Sequence, residues 1–263
     1  MRVEDFVALV PGLVLVFCRM VGVFIVAPVL GGGQVPPVVR VGAALAIGAL
    51  VVPFVQYDPA TIPTALWPYT VAVARETTVG MVLGFGATLL FMALQIAGEV
   101  IDIQMGFMMA NVTDPSTNIS SPLMGQFMYI LALLVFLTVN GHHWLIRAMV
   151  ESYRLIPLAE TTARPAFAQQ MNAMTSDTFV RALQFGAPVV AALLLTEMAM
   201  GVVGRAVPQM NIMMLGFSVR IAIGLAVLWF AMSSIMDVLT FALDRNGMYA
   251  DLIKLVRGMS PGP

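Results

Sequence analysis

Arg19 stands near the middle of an otherwise uncharged apolar run from Phe6 to Leu30. The run is long enough to cross a bilayer, which takes about 20 apolar residues. A charge at mid-depth costs about 2.5–3.5 kcal/mol on insertion scales. Arg19 must therefore face protein or water rather than lipid. The same conflict recurs at Arg75-Glu76, Arg181, Glu197 and Arg220, which interrupt apolar stretches instead of flanking them. Twelve of the 13 basic residues are arginine, a choice that suits buried ion pairs better than a solvated surface.

Two explanations fit this pattern. The embedded charges could form an ion pathway in a secondary transporter. Alternatively the helices are V-shaped pairs packed around an axis in a larger assembly, where partner helices pair the charges. In either case the fold expected is all-α. It is a polytopic membrane-type protein of about six apolar regions, its helical hairpins packed in a hetero-oligomeric assembly on the second explanation. The chain of 263 residues is only 10% charged and 60% hydrophobic, with mean hydropathy +0.93. A soluble domain carries about 25% charged residues, so this chain lacks the polar side chains to cover a water-facing surface. No signal peptide is expected, because Met1-Arg-Val-Glu-Asp5 carries acids and the apolar run has no clear cleavage site.

Several function classes are excluded. A net charge of −1 points to no nucleic-acid partner. The single Cys18 forbids an intrachain disulfide or a multi-cysteine metal site, and reads as a small apolar helix residue. No nucleotide loop, HExxH, GxSxG or EF-hand pattern occurs, and Gly31-Gly32-Gly33 lacks the Gly-Lys-Ser/Thr ending of a phosphate loop. No catalytic residue, cofactor or metal ligand is expected, so the chain does not read as an enzyme. His142-His143 are adjacent and point about 100° apart on a helix, whereas zinc helices use i and i+4; His142 reads as a polar helix-boundary residue.

Along the chain, Val41 to Val55 is a short apolar segment, and Trp67 and Tyr69 are interfacial anchors before the third. Thr77 to Gly98 carries no charge and is the best spanning candidate. It contains Gly80 and Gly84, a spacing that lets helices approach closely. Glu99 and Asp102 share one helical face and read as a solvated helix end. Ser121-Pro122 is a helix start and Asn140-Gly141 a helix stop. Arg147 and Glu151 read as a surface pair. Residues 158–177 form the most polar stretch, expected as a water-exposed loop with an amphipathic turn around Phe167 to Met174, ending at an N-cap near Thr175 to Asp177. Arg181 to Gly204 is apolar but broken by Pro188, and Gly204 to Pro208, with Arg205 inside it, is a further break. The tail 244–263 is amphipathic, with Leu252, Leu255 and Val256 set against an interface or a partner and the last five residues disordered. The whole, 1–263, reads as a single helical unit.

One stretch is different in kind. Gln104 to Pro122 is rich in Met, Asn, Ser and Thr, carries one charge, Asp114, before Pro115, and is too irregular to be helical throughout. Lipid cannot satisfy such a backbone, so the segment must lie against protein or a water-filled cavity.

That stretch, QMGFMMANVTDP at 104–115, together with NGHHWLIRAMVESYRLIPL at 140–158 and GRAVPQMNIMMLGFSVRIAIGL at 204–225, resembles the FliR family of bacterial flagellar export-gate proteins. More distantly it resembles the equivalent component of type III injectisomes, which stays open as an alternative. The resemblance implies a helical gate built with FliP and FliQ, FlhB at its cytoplasmic entrance, within the flagellar basal-body ring of the bacterial inner membrane. Unfolded export substrates would pass through its centre. It also implies a plug loop at 104–122, drawing on Met105, Gly106, Phe107, Met108, Met109, Asn111, Val112, Asp114 and Pro115, with Phe107, Met108, Met109 and Val112 as the apolar seal. Flexible Met and Phe side chains suit a seal that must close around varied cargo. The residues expected to carry assembly are Arg19, Arg75, Glu76, Glu197, Arg205 and Arg220. Those setting helix boundaries are Ser121, Pro122, Gly141, His142 and Pro208.

Overall fold

A computed structural model describes residues 3–28, 36–55, 57–107, 122–160, 165–207, 209 and 211–260. Among the described residues every regular element is helical. In chain order the α-helices are α1 (Val3–Val26), α2 (Pro37–Val51), α3 (Leu66–Met105), α4 (Leu123–Thr138), α5 (Gly141–Leu155), α6 (Pro165–Ala206), α7 (Ile212–Leu243) and α8 (Ala250–Met259). Among the described residues five helical stretches are long and apolar enough to cross a membrane, or up to six if α4 and α5 count as one broken span. The all-α, polytopic expectation holds. At 1.5 Å per residue, the 40 residues of α3 and the 42 of α6 reach about 60 Å each, twice a hydrocarbon core of about 30 Å.

Contacts divide the chain into two compact units, one of residues 1–89, 137–175 and 242–263, the other of 90–136 and 176–241. In the first, α1 packs on the first half of α3 at unusually close range. A Cβ at Gly80 would collide with the carbonyl oxygen of Arg19, and one at Gly22 with that of Thr77. Small residues at such a crossing let two backbones meet, and Gly84 extends it against Val23 and Val26. The core there is Leu15, Val16, Met20 and Val23 against Val79, Leu83 and Ala87. Pro11 lies inside α1. Nearby, the hydroxyls of Tyr57 and Tyr69 donate to the carbonyls of Leu9 and Pro11, at 3.1 and 3.0 Å. Burial pushes the Tyr57 phenol above its ordinary pKa, so it stays a donor.

In the second unit, Phe91 is fully buried and meets Phe136 edge-on at 5.4 Å and Tyr129 at 6.0 Å. Ile101, Met105, Phe185, Val189, Leu193, Leu228 and Ile235 complete its core.

The structure corrects several expectations. Helix α6 starts at Pro165, so 165–177 is helical rather than loop, and no N-cap falls at Thr175 to Asp177. Proline at the first helical position starts a helix well, and the polar residues after it lie on an exposed helical face. Pro188 lies inside α6 without ending it. The apolar face of α8 is buried in its own chain: a Cβ at Gly86 of α3 would press on Leu252 and Leu255, and one at Gly258 on Phe167. Met259, expected in a disordered end, is helical and buried. Glu151 pairs with Arg154 at 3.4 Å rather than with Arg147, which lies over the ring of Trp144.

Candidate functional site

Arg19 is the largest fully buried side chain among the described residues. Its Nε donates to Glu76 Oε2 at 2.6 Å, Nη1 to Ser152 Oγ at 3.1 Å, and Nη2 to the carbonyl of Ile156 at 3.1 Å. The guanidinium also sits 4.2 Å from the ring centroid of Tyr153, whose hydroxyl donates to the carbonyl of Val16. The other oxygen of Glu76 accepts from the amide of Ala159 at 3.0 Å, which helps hold Ala159 at φ 67°, a left-handed conformation a non-glycine residue rarely adopts. One cation thus ties α1, α3, α5 and the turn after α5, with each guanidinium nitrogen and both carboxylate oxygens hydrogen-bonded, as burial demands. Sequence reasoning expected partner proteins to pair Arg19 and Glu76; they pair with each other. Ser152 and Tyr153 were missed, since between Glu151 and Arg154 they read as helix surface and the Arg19 they meet lies 133 residues away from Ser152.

The second unit holds the root of the expected plug. Met105 ends α3 fully buried against α7, where a Cβ at Gly224 would strike its side chain. Gly106 turns the chain at φ +83°, and a Cβ there would come 3.3 Å from the Phe217 ring. Phe107 meets Phe217 edge-on, centroids 6.5 Å apart at 83°. Met108, Met109, Asn111, Val112, Asp114, Pro115 and Ser121 lie outside the described residues.

Asp102 corrects the reading of a solvated helix end. It is buried, and its Oδ2 accepts the amides of Met124 and Gly125 at 2.9 and 3.3 Å, capping the first turn of α4. The carbonyl of Pro122 accepts the first bond of that helix, from Gln126, so Pro122 marks the boundary one residue before the position expected of it. A Cβ at Gly98 would collide with the backbone of Met124, which is why Asp102 can reach. At the far end of α4, Asn140 rather than Gly141 takes the left-handed conformation (φ 56°, ψ 33°), while Gly141 and His142 open α5.

Arg220 donates to Glu197 at 3.1 Å, joining α7 to α6. The Glu197 side chain remains 54% exposed. Arg75 and Arg205 are exposed, and neither has an ion-pair partner among the described residues. Helix α6 ends at Ala206 as the Gly204 to Pro208 break requires, with Pro208 itself outside the described residues. No group of three or more His, Cys, Asp or Glu suited to a metal occurs among the described residues.

These features define a class: a polytopic α-helical membrane protein in which some charges on apolar helices are met by its own helices, as at Arg19–Glu76 and Arg220–Glu197, and others, such as Arg75, stay at the surface. A family model for bacterial export proteins, family 1, matches residues 10–245, and the chain belongs to that family. It is 37% identical to the flagellar biosynthetic protein FliR of Bacillus subtilis (strain 168) over 244 residues, covering 89% of this chain and 91% of that one. Against FliR of Escherichia coli (strain K12) the identity is 30%, with 80% of each chain covered. Against FliR of Caulobacter vibrioides it is 29%, with 86% of this chain and 90% of the other covered. A role in flagellar biosynthesis and export follows from these likenesses.

Proposed function

We propose that this protein is a structural subunit of the flagellar type III export gate, without catalysis of its own. It forms the channel with FliP and FliQ, meets FlhB at the cytoplasmic entrance, and sits in the basal body at the bacterial inner membrane. The segment at 104–122 is the plug, and unfolded flagellar subunits displace it in passing. A hydrophobic constriction stops ions by dewetting, and Met and Phe side chains re-pack around varied cargo.

The observation that carries this reading is exposed charge on apolar helices. Arg75 and Glu197 lie at the surface of α3 and α6, flanked by exposed Met81, Leu194 and Met198. Lipid does not solvate such groups, which intramembrane helices turn towards protein or water. Helices of sister subunits meet that need.

The test is deletion of Gly106 to Asn118 in the assembled gate. Assembly should persist and membranes should become leaky to small ions. A deleted form that assembles with unchanged ion permeability defeats the plug assignment. Purified alone in detergent, the full chain should aggregate, whereas a transporter would be monodisperse.

A further inference from the structure

Two features of α7 receive the end of α3. Gly224 is a notch for the buried Met105 side chain, and the Phe217 ring lies over Gly106 and against Phe107. Residues 217 and 224 are seven apart, two helical turns, and so lie on one face of α7. Gly106 is the only described glycine at positive φ. A side chain there would meet both an unfavourable dihedral and the Phe217 ring at 3.3 Å. The wall itself is braced, because Arg220, between the two contacts in sequence, is held to Glu197 of α6 at 3.1 Å.

We propose that Phe217 is a positioning residue for the seal: with the Gly224 notch it holds Met105, Gly106 and Phe107 in the closed arrangement. This rests on the plug reading above. The two contacts differ in kind. Met105 is fully buried and locked into a backbone notch, so it is the fixed point. Phe107 and Phe217 are half-buried and meet only by an edge-to-face contact, which is modest in strength and reversible. Gly106 lies between them with the conformational freedom a pivot needs. The arrangement is a fixed foot, a pivot and a weak aromatic catch, and opening requires only the catch to part.

The test uses the assembled gate in membranes. Phe217→Ala should raise ion leak in the absence of export several-fold, towards that of the Gly106 to Asn118 deletion, with assembly retained. Phe217→Tyr keeps the ring and should leave the leak at the wild-type level. Phe107→Cys with Phe217→Cys, joined by a short reducible bis-methanethiosulfonate cross-linker, should abolish export, and reductant should restore it. This pair also decides the matter if Phe217→Ala fails to accumulate. If the deletion leaks but Phe217→Ala does not, or the cross-linked pair still exports, the catch is overturned and the plug stands. If the deletion does not leak either, the plug reading falls and the catch with it.

Discussion

Arg19 Nε lies 2.6 Å from Glu76 Oε2, and both side chains are wholly buried although 57 residues separate them in sequence. Each removes the other's desolvation problem, and Ser152, Ile156 and Ala159 supply the remaining hydrogen bonds. The pair therefore belongs to the fold of the first unit, whereas Arg75 is exposed with no ion-pair partner among the described residues.

Breaking one side of a buried pair leaves an uncompensated charge, typically at about 3–5 kcal/mol, whereas replacing both with apolar residues is often near neutral. Arg19→Leu and Glu76→Leu should each sharply lower the amount of chain in membranes and its thermal aggregation midpoint in detergent extracts. The double variant should recover much of both. Equal loss in the single and double variants would show that the pair's polarity, not its mutual compensation, is what the fold requires.

The crossing of α1 and α3 gives a second expectation. A methyl at Gly80 meets the Arg19 carbonyl, a backbone atom that cannot swing aside, while at Gly201 nothing lies within 4 Å. Overpacking of this kind costs about 1–3 kcal/mol. Gly80→Ala should lower the same aggregation midpoint, and Gly201→Ala should leave it unchanged or slightly raise it, because alanine favours a helix.

Much of this was legible in the chain. A charge inside an apolar run announced that Arg19 would face protein rather than lipid, and the Gly80 and Gly84 spacing announced a close crossing. What stayed hidden was partner choice across long separations. Arg75-Glu76 reads as one charged dipeptide, yet neighbouring positions on a helix face different ways. Glu76 turns inward to Arg19 and Arg75 turns outward. Asp102 looked like the end of an apolar run because the amides it caps lie 22 and 23 residues on. Pro188 looked like a break, but a proline inside a long helix can remove one hydrogen bond without ending it.

Asp102 yields a third expectation. Losing a side-chain cap costs about 0.5–2 kcal/mol, and α4 would lose the acceptor for two amides at once. Asp102→Ala should speed hydrogen exchange at Met124 and Gly125 and leave the rest of the second unit little changed. Asp102→Asn retains a carbonyl acceptor and should stay close to wild type. Fast exchange in both variants would mean that the negative charge, and not the acceptor, holds the first turn of α4.

Arg75 and Arg220 separate assembly from folding. Arg75 is exposed with no ion-pair partner among the described residues, so Arg75→Leu removes nothing the chain itself uses. On the gate reading its abundance in membranes should match wild type, while recovery of companion gate subunits in a pull-down should fall several-fold. Arg220→Leu also strips Glu197 of its partner across α6 and α7, and should lower both recovery and abundance in membranes. Arg205→Leu, exposed near the end of α6, should behave as Arg75→Leu does. If Arg75→Leu pulls down its companions undiminished, that face of α3 is not where a sister helix docks, and the exposed guanidinium is met by water or lipid phosphate instead.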